Sequence, residues 1–90
     1  MTGMQCNFKA TIISEIQTKL TKTGTATNFI AEYPEYDGTR SRFSAVCFNK
    51  VAEFVGKQFR TGDSVIVEGS VFLDGDGLIV RAFRVSPAKR

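Results

Sequence analysis

Residues 42–71, RFSAVCFNKVAEFVGKQFRTGDSVIVEGSV, decide the fold of this chain. Phe43, Ala45 and Cys47 place small or apolar side chains at every second position, which is the period of a β-strand. Asn49 is expected to cap the helix that follows. Gly62 and Asp63 then predict a turn, after which the β-branched residues 65–67 predict a return to the sheet.

The predicted helix has one apolar face and one charged face. The face expected to pack on the sheet contains Val51, Phe54, Val55 and Phe59. Gly56 is the one residue that disagrees with this interpretation, because glycine inside a helix costs roughly 1 kcal/mol relative to alanine. The segment therefore predicts a strand, a helix, a turn and a second strand.

The remainder of the chain predicts further strands around this segment. We expect a loose arm at residues 1–6, a hairpin connection at 19–23, a hairpin turn at 74–77 and a short tail at 86–90. Five strands are predicted, at residues 8–16 (bent midway), 25–33, 39–48, 64–73 and 78–85. Five strands with one helix between the third and the fourth is the order of the oligonucleotide/oligosaccharide-binding (OB) barrel. We therefore predict an all-β fold, a single OB barrel spanning residues 1–90.

Composition narrows the possible functions. The 90 residues contain no histidine, and their acidic residues are scattered, so we expect no enzyme, no cofactor and no metal site. Cys47 is expected to be a small core residue. No apolar run reaches membrane-spanning length and no secretion signal opens the chain, which predicts a cytoplasmic protein. The net charge of +3 is compatible with a nucleic-acid partner but does not establish one.

Two segments resemble the bacterial and phage single-stranded DNA-binding proteins. Residues 48–71 are similar to that family's pattern F-G-K-L-A-E, a helix, then K-G-D-x-V-x-V-E-G. Residues 23–29, TGTATNF, resemble its N-G-T-A-x-x-x-F segment. The matching positions of the first segment are Phe48, Lys50, Ala52, Glu53, Gly62, Asp63, Val65, Val67, Glu68 and Gly69. The resemblance spans residues 8–85 and implies single-stranded DNA binding in replication or recombination.

A sequence-tolerant binder of single strands needs aromatic planes and cations on one surface. If Phe43, Ala45 and Cys47 face the core, Phe48 faces outward, and the resemblance implies that it stacks on a base. The alternative for Phe48 is packing under the start of the helix or in a subunit contact. Phe72 is expected near Phe48 across the sheet, and a core position after a bulge is an equal alternative.

The other candidate DNA-binding residues are spread along the chain. Tyr36 is expected to stack on a base, whereas Tyr33 equally fits the core. Arg42 falls where the family often has tryptophan, and its planar guanidinium can stack on a base as well as meet phosphate. The cations expected at phosphates are Arg40, Arg42, Lys50 and Arg81, with Lys9 and Lys22 as further candidates.

The resemblance also bears on partners. It implies a homodimer or homotetramer, and the outward positions of Ile13, Ile66, Ile79 and Phe83 favour an oligomer. In the family, cellular members recruit repair proteins through an acidic tip that ends in phenylalanine. The sequence ends at Arg90 without such a tip. We therefore expect either that a tail has been removed or that this is a compact phage or mobile-element version. The alternative function is a protein-interaction or primosome-type adaptor module, because the barrel is a general scaffold.

Overall fold

The computed structural model describes residues 4–75 and 77–88 of the chain. Its elements are β1 (Met4–Ile12), β2 (Gln17–Thr21), β3 (Gly24–Pro34), β4 (Arg40–Phe48), α1 (Asn49–Gln58), β5 (Ser64–Asp74) and β6 (Gly77–Pro87). The strands form one sheet in the order β1-β5-β6-β4-β3-β2. A further pairing of β1 with β3 at Thr11–Glu32 and Ile12–Ala31 closes that sheet into a barrel. The predicted OB architecture is confirmed, with β1 and β2 as two halves of its first strand.

The predicted boundaries of the first strand were wrong at both ends. Residues 4–6, assigned to a loose arm, lie in β1 and pair with β5, while residues 1–3 lie outside the described residues. Residues 19–21, assigned to a connection, belong to β2 and pair with β3. Between the two halves, the Ser14 hydroxyl accepts a hydrogen bond from the Ile30 amide at 2.8 Å, which keeps the bend attached to β3.

The core lies between the barrel wall and the helix. The inward positions predicted from the strand period, such as Phe43, Ala45 and Cys47, are buried. Ala52 and Val55 of α1 are fully buried against them. The hydroxyl of Thr27 donates to the Ala52 carbonyl at 3.0 Å, so β3 is tied directly to the helix.

The helix differs from its predicted form in two details. Phe48 occupies the N-cap position without any side-chain cap, and Asn49 adopts a left-handed backbone with φ of 56°, so the expected Asn49 cap is absent. Phe54, expected in the core, is 45% exposed and meets the buried Phe59 ring edge-on at 5.7 Å. No helix among the described residues is long and apolar enough to cross a membrane.

Packing against β2 explains why glycine occurs at position 56, the one residue that disagreed with the helix prediction. A Cβ atom at Gly56 would lie 3.0 Å from the hydroxyl oxygen of Thr18, because β2 passes close to the helix. Glycine at this point allows the second half of the first strand to approach α1.

The C-terminal hairpin is longer than predicted. Ser86 and Pro87, assigned to a tail, pair with Ile66 and Val65 in β6. A register shift follows Glu68, where β6 contributes one extra residue. Of the predicted turn at 74–77, Gly75 has a positive φ of 48°, whereas Asp76 lies outside the described residues.

Candidate nucleic-acid interface

Phe48 ends β4 with its ring on the outer face of the barrel. It is 37% exposed, whereas its neighbour Cys47 is fully buried, so the outward position predicted from the strand period is confirmed. The neighbouring strand β6 runs parallel to β4 and pairs Arg81 with Val46. This register brings the Arg81 guanidinium carbon to 5.1 Å from the centre of the Phe48 ring, a cation–π contact. An aromatic plane and a cation, predicted separately, therefore lie together.

A groove runs across the outer face from Phe48 toward the bend in the first strand. Its larger part has a volume of about 520 Å³. That part is lined by Gln17, Thr18, Lys19, Thr21, Ala26, Thr27, Asn28, Val46 and Phe48. It continues into a second depression of about 320 Å³, with which it shares Gln17, Asn28 and Val46. The second depression reaches Ser14, Glu15, Ile30 and Ser44.

Lys19 and Asn28 line this groove, and the sequence analysis did not select them. They lie on adjacent strands, because Lys19 pairs with Ala26 and Asn28 with Gln17. Residues 19–21 were assigned to a connection, so the outward alternation of Gln17, Lys19 and Thr21 was not used. Lys19 is a cation at the Phe48 end of the groove, whereas Glu15 is an acid at the other end.

Arg40 and Arg42 lie on the outer face of β4, but an acid accompanies both. One carboxylate oxygen of Glu32 lies 3.0 Å from a terminal nitrogen of Arg40, and the other lies 3.6 Å from Nε of Arg42. Both arginine side chains remain 70% exposed. Glu32 therefore offsets part of the positive charge that the sequence predicted for phosphates, and this partner was not anticipated.

The two tyrosines are in different environments. Tyr33 is half-buried, and its ring lies 4.7 Å from Phe8 and 5.9 Å from Phe43, so the structure places it against the core. Tyr36 is fully exposed in the loop between β3 and β4. That loop is held by Asp37, whose carboxylate accepts hydrogen bonds from the hydroxyl and the amide of Thr39. These two bonds lower the pKa of Asp37.

Phe72 is not beside Phe48, and the prediction that they adjoin is wrong. Phe72 pairs with Ile79 on the far side of β6, whereas Phe48 lies beyond the Val46–Arg81 pair. Strand β6 therefore separates the two rings, and their levels along it differ by about four residues, or roughly 13 Å. Phe72 is half-buried, so it offers less ring surface than the sequence suggested.

A smaller depression lies between α1 and β6, and Lys50, two residues after Phe48, is part of its lining. It has a volume of about 340 Å³ and is lined by Lys50, Val51, Phe54, Phe83, Arg84, Val85 and Ser86. Phe83 is 55% exposed, which confirms its outward position, while Ile13, Ile66 and Ile79 are half-buried rather than exposed. Lys9 lines grooves elsewhere on the barrel, and Lys22 is exposed in the turn between β2 and β3.

The thiol of Cys47 lies in the core and not on this surface. Cys47 is fully buried, as predicted, and burial raises the pKa of its thiol to about 12. The reactive thiolate form is therefore suppressed at neutral pH. Within residues 4–75 and 77–88, no three His, Cys, Asp or Glu side chains come close enough together to hold a metal ion.

Comparison with solved structures identifies proteins of the same architecture. The small single-stranded DNA-binding protein from Streptomyces coelicolor has a TM-score of 0.87 and 14% identity, over 98% of this chain and 94% of that one. The second single-stranded DNA-binding protein (SSBb) from Mycobacterium smegmatis has a TM-score of 0.86 and 19% identity, over 97% and 89%.

PriB from Ralstonia solanacearum is a further structural neighbour, with a TM-score of 0.73 and 14% identity over 99% of each chain. No protein-family model matches the sequence, and no curated protein does. At such identities the structural likeness shows a shared fold, the OB barrel.

Proposed function

We propose that this protein binds single-stranded DNA without strong sequence preference and protects it during replication or recombination. The observation that carries the proposal is the outward Phe48 ring, with Arg81 against it and an open groove beside it. A single strand exposes flat bases and a charged backbone together, so its binding surface must combine aromatic faces with cations. Two of the solved structures that share the fold are described as single-stranded DNA-binding proteins.

In the proposed complex a base stacks on Phe48, and the strand follows the groove between β2 and β4. Phosphates lie near Lys19, Lys50 and Arg81, none of which makes an ion pair among the described residues. Glu15 repels phosphate at the far end of the groove, which places the most favourable backbone positions near Phe48. Asn28 and Gln17 can donate a hydrogen bond to a base edge or accept one from it, because each side-chain amide carries both a donor and an acceptor.

The remaining predicted residues have secondary roles in this proposal. Tyr36 can swing onto a base from its loop, and Arg40 and Arg42 can meet phosphate if they leave Glu32. Tyr33 packs against the core, and Phe72, half-buried on β5 away from Phe48, lies off the main path of the strand. A homo-oligomer, expected from the sequence resemblance, would place several such surfaces along one strand and raise the overall affinity.

Replacement of Phe48 tests the proposed site. Phe48→Ala should weaken binding to oligo-dT by about 5- to 150-fold, because stacking contributes about 1–3 kcal/mol per base. The measurement is fluorescence anisotropy of a labelled oligonucleotide. Leu73→Ala is the matched control, since Leu73 is also exposed but lies near the β5–β6 turn, away from the groove.

The control separates loss of stacking from a general loss of exposed apolar surface. Thermal unfolding of both variants checks that each remains folded at the temperature of the titration. If Phe48→Ala and Leu73→Ala bind like the wild type, or are weakened equally, Phe48 is not at the centre of the binding surface.

A further inference from the structure

The depression between α1 and β6 has the chemistry of a second binding subsite. Two exposed rings, Phe54 and Phe83, face it, together with the cations Lys50 and Arg84. Its lining contains no carboxylate. Arg84 shares its charge with Glu68 of β5, with Nε 3.6 Å from the carboxylate, and its side chain stays 69% exposed.

This patch, defined by Lys50, Phe54, Phe83 and Arg84, is continuous with the Phe48 surface. Lys50 follows Phe48 by two residues, at the start of α1. Phe83 follows Arg81 by two residues along β6, beyond the Val46–Arg81 pair where the β4–β6 ladder ends. Arg81 in turn contacts the Phe48 ring. Aromatic rings and cations therefore alternate from the groove, past Phe48 and Arg81, onto the patch.

We propose that this patch binds a further nucleotide of the same DNA strand, extending the path from Phe48 over the helix–β6 edge of the barrel. The inference rests on the proposed function. In this arrangement a base packs on Phe83, with Phe54 beside it, and the connecting phosphate lies near Lys50. The strand leaves the groove across the start of α1 and not along the β5–β6 turn.

Charge favours a nucleic acid over a second copy of the chain as the occupant. In a two-fold interface the same patch would face itself and bring two Lys50 ammonium groups together with no carboxylate in the lining to pair with them, although each Arg84 keeps Glu68. A polyanion with flat apolar bases matches both features at once. The patch follows the Phe48 surface, where the proposed DNA strand already lies. This favours DNA over an acidic protein segment, because nothing in the groove requires such a segment to bind there.

A length series of oligonucleotides tests the proposal. Labelled oligo-dT of about 4 to 16 nucleotides spans the range of site sizes of OB folds. Phe83→Ala should leave the affinity for the shortest bound oligonucleotide unchanged. It should lower the affinity for the longest by about 5- to 150-fold, the effect expected from loss of one stacked base. Leu73→Ala should track the wild type at every length.

Two further variants separate stacking from apolar contact. Phe83→Tyr keeps the aromatic face and should bind long oligonucleotides with the affinity of the wild type. Phe83→Leu keeps apolar bulk without an aromatic face and should bind long oligonucleotides as weakly as Phe83→Ala. The inference is overturned if Phe83→Ala binds all lengths normally, if it loses all lengths equally, or if light scattering shows that it changes the oligomeric mass. Failure of the wild type to bind any length would instead contradict the proposed function itself.

Discussion

At the scale of single residues, Glu32 determines how much positive charge the outer face presents. Its carboxylate lies between Arg40 and Arg42, each of which would otherwise be available to phosphate. Arg40 and Arg42 are largely exposed, so these pairs contribute at most about 1 kcal/mol each and can be exchanged for contacts with DNA. If the protein binds DNA as proposed, we expect Glu32 to weaken that binding without being needed for folding.

Removal of this carboxylate should tighten DNA binding. Glu32→Gln is expected to raise the affinity for oligo-dT by about 2- to 5-fold, the equivalent of up to about 1 kcal/mol for an exposed ion pair. Glu35→Gln is the matched control, because it removes the same charge from an acid whose carboxylate contacts only the Ser41 hydroxyl among the described residues. Anisotropy titration compares the two, and equal gains would mean that overall charge is responsible and not release of the arginines.

At the scale of elements, the β5–β6 pair depends on Gly69. A Cβ atom there would overlap the Arg81 carbonyl oxygen and would lie 2.8 Å from the Ala82 Cα atom. Both neighbours are backbone atoms of the strand that carries Arg81, so neither can move without distorting the ladder. The register shift between Glu68 and Gly69 lies at the same point. Gly69 thus allows β6 to hold Arg81 against Phe48.

Gly69→Ala should therefore destabilise the fold by roughly 1–3 kcal/mol, the usual cost of overpacking a close contact. Gly77→Ala provides the control, since a Cβ atom at Gly77 would meet nothing within 4 Å and this glycine has no positive φ. Urea unfolding followed by circular dichroism gives the free energy of unfolding of each variant. A Gly69→Ala variant as stable as Gly77→Ala would show that the two strands are not packed this closely.

The sequence predicted most of the elements because their periodicity is local. Patterns and turn signals along the chain were enough for the order of strands, and the alternation of β4 was enough for its buried positions and the outward direction of Phe48. The failures involve contacts between distant residues. Asn49 near Gly24, Thr18 beneath Gly56 and Glu32 between two arginines are tertiary arrangements that no local pattern contains. Lys19 was missed because residues 19–21 were assigned to a connection, whereas they belong to β2, which follows the bend after Ile12.

At the scale of the whole molecule, charge location matters more than total charge. The net charge of +3 is modest. Seven cations make no ion pair among the described residues, and three of them lie near one exposed ring: Arg81 contacts Phe48, Lys19 lines the same groove, and Lys50 follows Phe48 by two residues. Acids accompany Arg40, Arg42 and Arg84. The barrel thus places unpaired cations at and next to the exposed Phe48 ring, and a single-stranded polyanion fits that combination.

The most direct test is titration of labelled oligo-dT with the wild-type protein at two salt concentrations, with duplex DNA of the same length in parallel. We predict binding of the single strand and none of the duplex. The logarithm of the affinity should fall with the logarithm of salt with a slope of about −2, or about −0.7 for each of three phosphate contacts. No binding at low salt, or binding that salt does not weaken, would contradict single-stranded DNA as the partner and favour a protein-interaction module.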